Sequence, residues 1–189
     1  MKTGYPALYS LMRSRQSVRK FREKKLTKGQ IEKVINAAVT APSSLNSQPW
    51  KFVVLQDAAQ KKGLRGVYTA ARVKLGLYAQ DTSFVEKATP IVVVCEDSDF
   101  GKMTSCAMAI QNMFLAAQSM GLASLPSVTI LMDRESEKLL GEMIGLSARQ
   151  KIVLVTFFGY ADEKPQRKPK KNAKSLVFGN SLKNLGKIL

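Results

Sequence analysis

Ala41-Pro42-Ser43-Ser44-Leu45-Asn46-Ser47-Gln48-Pro49-Trp50 is the stretch on which the reading of this chain turns. It lies between a segment of helical periodicity and one of strand character. Pro42 pushes Ala41 out of the α region and so is expected to end the preceding helix. Pro49 withholds a backbone donor just before a strand begins. Five polar side chains lie between the two prolines. Asn46 and Gln48 each offer donors and an acceptor, which suits the edge of a heteroaromatic ring with alternating carbonyls and N–H groups. Trp50 can pack against the loop and hold it. Residue by residue, the same segment also suits a plain helix-to-strand connection.

Working outward, the preceding helix opens on a Thr27-x-x-Gln30 capping box and carries Ile31, Val34, Ile35 and Ala38 at helical spacing. A short helix is expected over Tyr5–Met12. After the loop, Lys51–Gln56 is a β-branched strand. Asp57 caps a helix that Gly63 and Gly66 weaken, and a second helical stretch spans Thr69–Tyr78. Pro90–Cys95 and Ile152–Phe158 are continuous apolar runs, as expected of strands buried on both faces. Met103–Met120 is the longest helix, with Gly121 at its left-handed C-terminal position. Asp133 caps another helix that ends near Gly141–Gly145, and Ser175–Phe178 is expected to add a short strand. The fold class is α+β: a central sheet covered by more helix than strand. The domain is expected over residues 1–163, with 164–189 a basic extension of the same domain.

Ser14-Arg15-Gln16-Ser17-Val18-Arg19-Lys20-Phe21 is the second polar stretch. In an extended chain, Arg15, Ser17 and Arg19 point to one side. Two guanidinium forks and a hydroxyl converging there make a cradle for a phosphate dianion. A solvated basic loop has the same composition.

Composition narrows the chemistry. The chain of 189 residues contains no histidine, which excludes a Ser-His-Asp triad, a Cys-His dyad and a histidine metal site. Its two cysteines, Cys95 and Cys106, are not in a CxxC arrangement and sit in apolar runs, so both are expected to be reduced core residues of a cytoplasmic protein. No side-chain nucleophile, general acid or metal ligand set is expected, and redox or transfer chemistry would have to reside in a bound cofactor. Gln111, Asn112 and Gln118 interrupt the longest apolar stretch, so no membrane span is expected. The start, MKTGYPALYS, lacks the charged and apolar regions of a secretory signal. The net charge is +16, and residues 164–189 carry eight basic residues and no acidic one. Such charge attracts phosphates, nucleotides, nucleic acid and acidic membranes alike. No nucleic-acid motif accompanies it, which leaves a basic nucleic-acid-binding module as the minor reading.

The two polar stretches, about 25 residues apart, together resemble the nitroreductase superfamily of flavoproteins. The other marks of the resemblance follow in order: Gln111-Asn112 through Gly121-Leu122, Leu140–Leu146 followed by VLVTFFGY, and Arg167-Lys168-Pro169. The resemblance implies a nitroreductase-like fold with a mixed or antiparallel sheet. It also implies an intertwined homodimer with FMN at the subunit interface. It places Arg15, Gln16, Ser17 and Arg19 at the phosphate and ribityl chain, and Pro42, Ser43, Ser44 and Asn46 in a loop that reaches the ring from the partner subunit. Pro126 and Ser127 fall near the reactive edge of the flavin, and Arg167 at a second phosphate contact. The activity implied is ping-pong electron transfer from NADH or NADPH to nitroaromatics, quinones or similar small acceptors. Dehalogenation, dehydrogenation and flavin fragmentation are alternatives on the same fold. Where such proteins often carry a Gly or an acidic residue after the Pro126 segment, this chain has Ser127-Val128-Thr129.

Overall fold

The computed structural model describes residues 4–78 and 81–178. Its strands are β1 (Trp50–Val54), β2 (Thr89–Cys95), β3 (Ala123–Ser127) and β4 (Lys151–Gly159). They form one antiparallel sheet of four strands in the order β1-β2-β4-β3. The helices are α1 (Tyr5–Ser14), α2 (Lys28–Ala38), α3 (Ala58–Lys74), α4 (Phe84–Lys87), α5 (Phe100–Ser119) and α6 (Arg134–Ile144).

Helices cover both faces of the sheet, so its inner strands are apolar on both sides. Every residue of β2 is buried. Val92 and Val94 join a cluster with Leu64 and Tyr68 of α3, Phe84 of α4 and Leu140 of α6. Ile91, Val93 and Cys95 join a second cluster on the other face with Val34 of α2 and Cys106, Met113 and Phe114 of α5. The period of two in a strand produces this division. Phe84 packs edge-on against Tyr68 and Phe157, with centroids 5.5 and 5.1 Å apart. Such geometry suits the opposed charge of ring edge and ring face.

The capping box closes as expected: Thr27 Oγ1 accepts from Gln30 N at 3.2 Å, and the Gln30 side chain accepts from Thr27 N at 3.0 Å. Asp57 and Asp133 cap α3 and α6, and Gly121 and Gly145 adopt φ of 69° and 70° after α5 and α6.

Four sequence expectations need correction. Pro42 does not end α2, which stops at Ala38. Thr40 Oγ1 and Asn112 Nδ2 of α5 donate to the Ala37 carbonyl at 2.8 and 3.2 Å, so side chains satisfy this helix end before the proline is reached. The two helices expected over 57–78 are a single helix, α3, of 17 residues. It buries Leu64, Tyr68 and Ala71, and that burial outweighs the cost of about 1 kcal/mol for each interior glycine. β3, Ala-Ser-Leu-Pro-Ser, carries little strand propensity and was not expected as a strand. It lies at the sheet edge, where a proline is tolerated. Finally, the strand expected at Ser175–Phe178 is replaced by a 3-10 turn over Ala173–Ser175, followed by irregular chain to a lone bridge residue at Phe178.

Candidate functional site

The chain leaves α1 at Arg15, whose φ of −61° and ψ of 123° begin an extended strap. Ser17 forms a parallel bridge with Ser124 of β3, and Val18 N donates to Ser124 O at 3.1 Å. Arg22 N then donates to Tyr160 O at 2.9 Å, and Phe21 bridges Ala161. The strap therefore runs beside the edge strand as an extra partner, anchored by the buried side chains of Val18 and Phe21. Val18 faces the α3 cluster. Alternation next to it places Arg15 and Ser17 on the α5 side, but the alternation does not run on through Arg19, since Phe21 joins the same α3 cluster as Val18.

Arg15 bears this out directly, since its guanidinium carbon stands 6.0 Å from the centre of the Phe114 ring of α5. Its Nη1 is buried and has no hydrogen-bond partner among the described residues. Burial pushes the Arg15 guanidinium below its ordinary value. A buried donor without a partner forfeits about 1–3 kcal/mol, more when it is charged. The residues present thus suit an anionic group at this position. Arg167 approaches the same end of α1, where its Nη2 donates to Arg13 O at 3.2 Å. Gln16 and Ser17 are half-buried, and the Arg19 side chain is exposed.

On β3, Pro126 lies two residues beyond Ser124, which the strap bridges; it is half-buried and paired with Thr156. The neighbouring Ser127 hydroxyl turns to the opposite face, where it bonds Tyr68 Oη at 3.3 Å and Thr129 Oγ1 at 3.1 Å. Strand alternation causes this: Ala123 and Leu125, on the same side as Ser127, belong to the α3 cluster. On the other face of β3, Ser127 can present its main chain only.

The Pro42–Gln48 loop is built differently. Ser44 N donates to Ser105 Oγ of α5 at 3.1 Å, and the Ser105 hydroxyl donates to Gly101 O at 2.6 Å. A Cβ on Gly101 would lie 3.3 Å from Ser44 Oγ, so the glycine permits this approach. Ser43 Oγ accepts from Gln48 N at 3.0 Å, and Asn46 Oδ1 accepts from Gln48 Nε2 at 3.3 Å. Leu45, Asn46 and Gln48 all have positive φ (52°, 54° and 45°), and Leu45 is 99 % exposed. Left-handed backbone is costly for a leucine and concentrates at sites where it serves a purpose.

The strap is anchored on β3 at Ser124 and Arg167 on the end of α1, whereas the loop is anchored on α5 at Ser105. Its anchor, Ser105, precedes Phe114 by nine residues on α5, roughly 14 Å along a helix rising 1.5 Å per residue. Exposed loop tip and cradle lie at different points of the molecule. α1 adds a related feature: it buries none of its residues and exposes Tyr5, Leu8, Tyr9 and Met12.

One contributor was not expected from sequence. The Glu163 carboxylate accepts from the backbone N–H groups of Arg19 and Lys20. No local pattern signals a residue 144 positions away.

Comparison with known proteins identifies the family and the fold. The profile described as the nitroreductase family matches residues 12–160. A putative NADH dehydrogenase/NAD(P)H nitroreductase of Archaeoglobus fulgidus is 28% identical over 158 residues, covering 80% of this chain and 84% of its own. An NADPH-flavin oxidoreductase of Vibrio harveyi is 27% identical over 187 residues, covering 90% of this chain and 72% of its own. Among solved structures, a putative NADH dehydrogenase/NAD(P)H nitroreductase from Bacteroides thetaiotaomicron superposes with a TM-score of 0.78. It is 26% identical and covers 94% of this chain and 99% of its own.

Proposed function

The chain belongs to the nitroreductase family, and from that premise we propose that it is a homodimeric FMN-dependent oxidoreductase that takes electrons from NADH or NADPH and reduces small acceptors such as nitroaromatics and quinones. The observation that carries this reading is the buried, unpartnered Nη1 of Arg15, on a strap that also presents Ser17 and Arg19. A phosphate oxygen would give that donor its partner. Arg167, bonded to Arg13 O, supplies a second guanidinium at the same end of α1.

Bound FMN would supply two-electron redox chemistry between a nicotinamide and an acceptor. The chain's own part is to bind and orient. Arg15, Ser17, Arg19 and Arg167 hold the phosphate end, with Gln16 contributing its amide or backbone. The edge of β3 at Pro126 and the Ser127 main chain border the ring. Asn46 and its neighbours Pro42, Ser43 and Ser44 come from a second copy, because the loop in the same chain sits well away from the cradle. The apolar face of α1, exposed in a single copy, supports a dimer that covers it. With no histidine in the sequence, a proton needed by the acceptor comes from water.

No helix among the described residues is long and apolar enough to cross a membrane. The free, buried Cys95 and Cys106 fit a reducing compartment, and we place the protein in the cytoplasm on that ground.

The test is purification followed by turnover. The expected preparation is yellow, releases FMN on denaturation, elutes as a dimer and oxidises NADH or NADPH when menadione or a nitrobenzene derivative is supplied. A colourless protein that does not take up added FMN would overturn the flavin reading. A yellow protein whose reduced flavin neither acceptor reoxidises would overturn the proposed acceptors alone.

A further inference from the structure

A second basic cavity lies between the chain just after the strap, the first turn of α3, and α4. Its volume is about 390 Å3. That falls within the roughly 300–1,000 Å3 of small-molecule sites. Lys24, Lys25, Lys61, Arg65 and Lys87 line it, together with Glu23 and Glu86.

The charges do not cancel. Arg65 Nη1 and Glu86 Oε1 form an ion pair at 2.8 Å and neutralise each other. Lys24 Nζ lies 4.4 Å from the centre of the Tyr160 ring, a contact that leaves its charge intact. Outside the Arg65–Glu86 pair, the wall carries four lysines against the single carboxylate of Glu23. Lys61 is half-buried and forms no ion pair among the described residues. Burial and then the neighbouring charge of Lys25 lower its pKa, and Glu86 and Glu23 offset only part of that shift. An ammonium held under those conditions gains most from an added anion. Ala58, in the first turn of the long helix α3, also lines the cavity, and that end of a helix adds positive potential. Gln56 offers an amide to the uncharged part of a ligand.

We propose that this cavity is a second anion site, separate from the Arg15 cradle, that takes a phosphorylated small molecule of the nucleoside diphosphate class. Lys25 and Lys61 hold the phosphate oxygens, and Gln56 contacts the remainder. The cavity is larger than a lone tetrahedral anion fills, which favours an ester over free phosphate. The site stands independently of the flavin reading. It shares Ser83 and Lys87 with a small cleft that begins at Arg19 and Lys20, so an occupant would sit behind the strap rather than in the cradle.

The experiment is calorimetric titration of the full chain, saturated with FMN, with ADP, pyrophosphate, inorganic phosphate and adenosine in parallel. The expected result is saturable binding of ADP, one per chain, with weaker binding of pyrophosphate and none of adenosine. Lys61→Glu and Lys25→Gln should each weaken ADP binding about tenfold or more, the scale of a lost charge-assisted contact. Flavin absorbance and FMN affinity should not change in either variant. Three results would each overturn the proposal: no ADP binding, undiminished ADP binding in Lys61→Glu and Lys25→Gln, or binding that occurs only when the cradle is empty of FMN. Inorganic phosphate binding as tightly as ADP would overturn the ester assignment. Should the chain hold no FMN, the flavin reading fails while the ADP titration of the same protein still decides this one.

Discussion

One carboxylate oxygen of Glu163 accepts hydrogen bonds from the backbone N–H groups of both Arg19 and Lys20, the latter at 3.1 Å. It ties the strap to the chain that leaves β4. Neither partner side chain is used, so Arg19 keeps its guanidinium free while its backbone is fixed. Glu163→Ala is expected to weaken FMN binding by about three- to tenfold through loss of charge-assisted bonds at an exposed site. Glu163→Gln keeps an acceptor oxygen and should recover most of the loss. Fluorescence titration of FMN checks both. If Glu163→Ala lowers thermal stability but leaves FMN affinity at the wild-type value, Glu163 is structural only.

Arg15 should separate stability from binding. Its Nη1 is buried without a partner while its guanidinium packs over Phe114. Arg15→Met keeps apolar volume over the ring and removes the unsatisfied charge. The FMN-free variant is expected to be as stable as wild type or more so, by about 1 kcal/mol. Its FMN affinity should fall by about tenfold or more, the scale of a hydrogen bond to a charged group. Urea melts of the FMN-free proteins and flavin titrations measure the two signs. A variant that loses stability without FMN and binds it normally would contradict this account.

Gly159 sets how closely the strap can approach β4. A Cβ at this position would meet Phe21 Cδ1 at 2.8 Å. The ring is fully buried and cannot swing into solvent. Gly159→Ala is therefore expected to cost about 1–3 kcal/mol by overpacking and to displace the strap that carries the cradle. Chemical denaturation reads the first effect and FMN affinity the second. Adding Phe21→Leu, which shortens the clashing side chain, should restore part of both.

Cys106 gives a pH dependence. Burial, then the neighbouring Cys95, pushes its thiol up to about 12. The folded value lies above the unfolded one. The stabilising contribution is therefore complete below about pH 9 and is lost as pH rises from there through about 12, because the unfolded chain ionises first. A thiol reagent at pH 8 should leave both cysteines of the folded chain unmodified and titrate both after denaturation. Rapid labelling of native protein at pH 8 would refute the buried assignment.

The sequence by itself determined what neighbouring residues decide between them. The Thr27–Gln30 box, the Asp57 and Asp133 caps, and the glycines after α5 and α6 are local exchanges of hydrogen bonds or local dihedral preferences, and they stand where expected. The unbroken apolar runs at Pro90–Cys95 and Ile152–Phe158 identified the inner strands, because burial on both faces leaves a strand no polar side. The strap was legible only in part: residues 15–21 are extended as expected, but the alternation stops at Val18, because Phe21 turns into the same cluster.

Only the tertiary structure decided the rest. β3 became a strand because the sheet edge supplied partners that Ala-Ser-Leu-Pro-Ser does not specify. α3 ran through its glycines because it buries a face that the local cost could not oppose. Ser127 proved to turn its hydroxyl to Tyr68, a consequence of pleat and register. The polar loop and Arg15, only about 25 residues apart in the chain, ended at different places along α5. Glu163 entered the site from 144 residues away. Each of these depends on contacts between distant segments, whose free energy exists only once the chain has closed on itself.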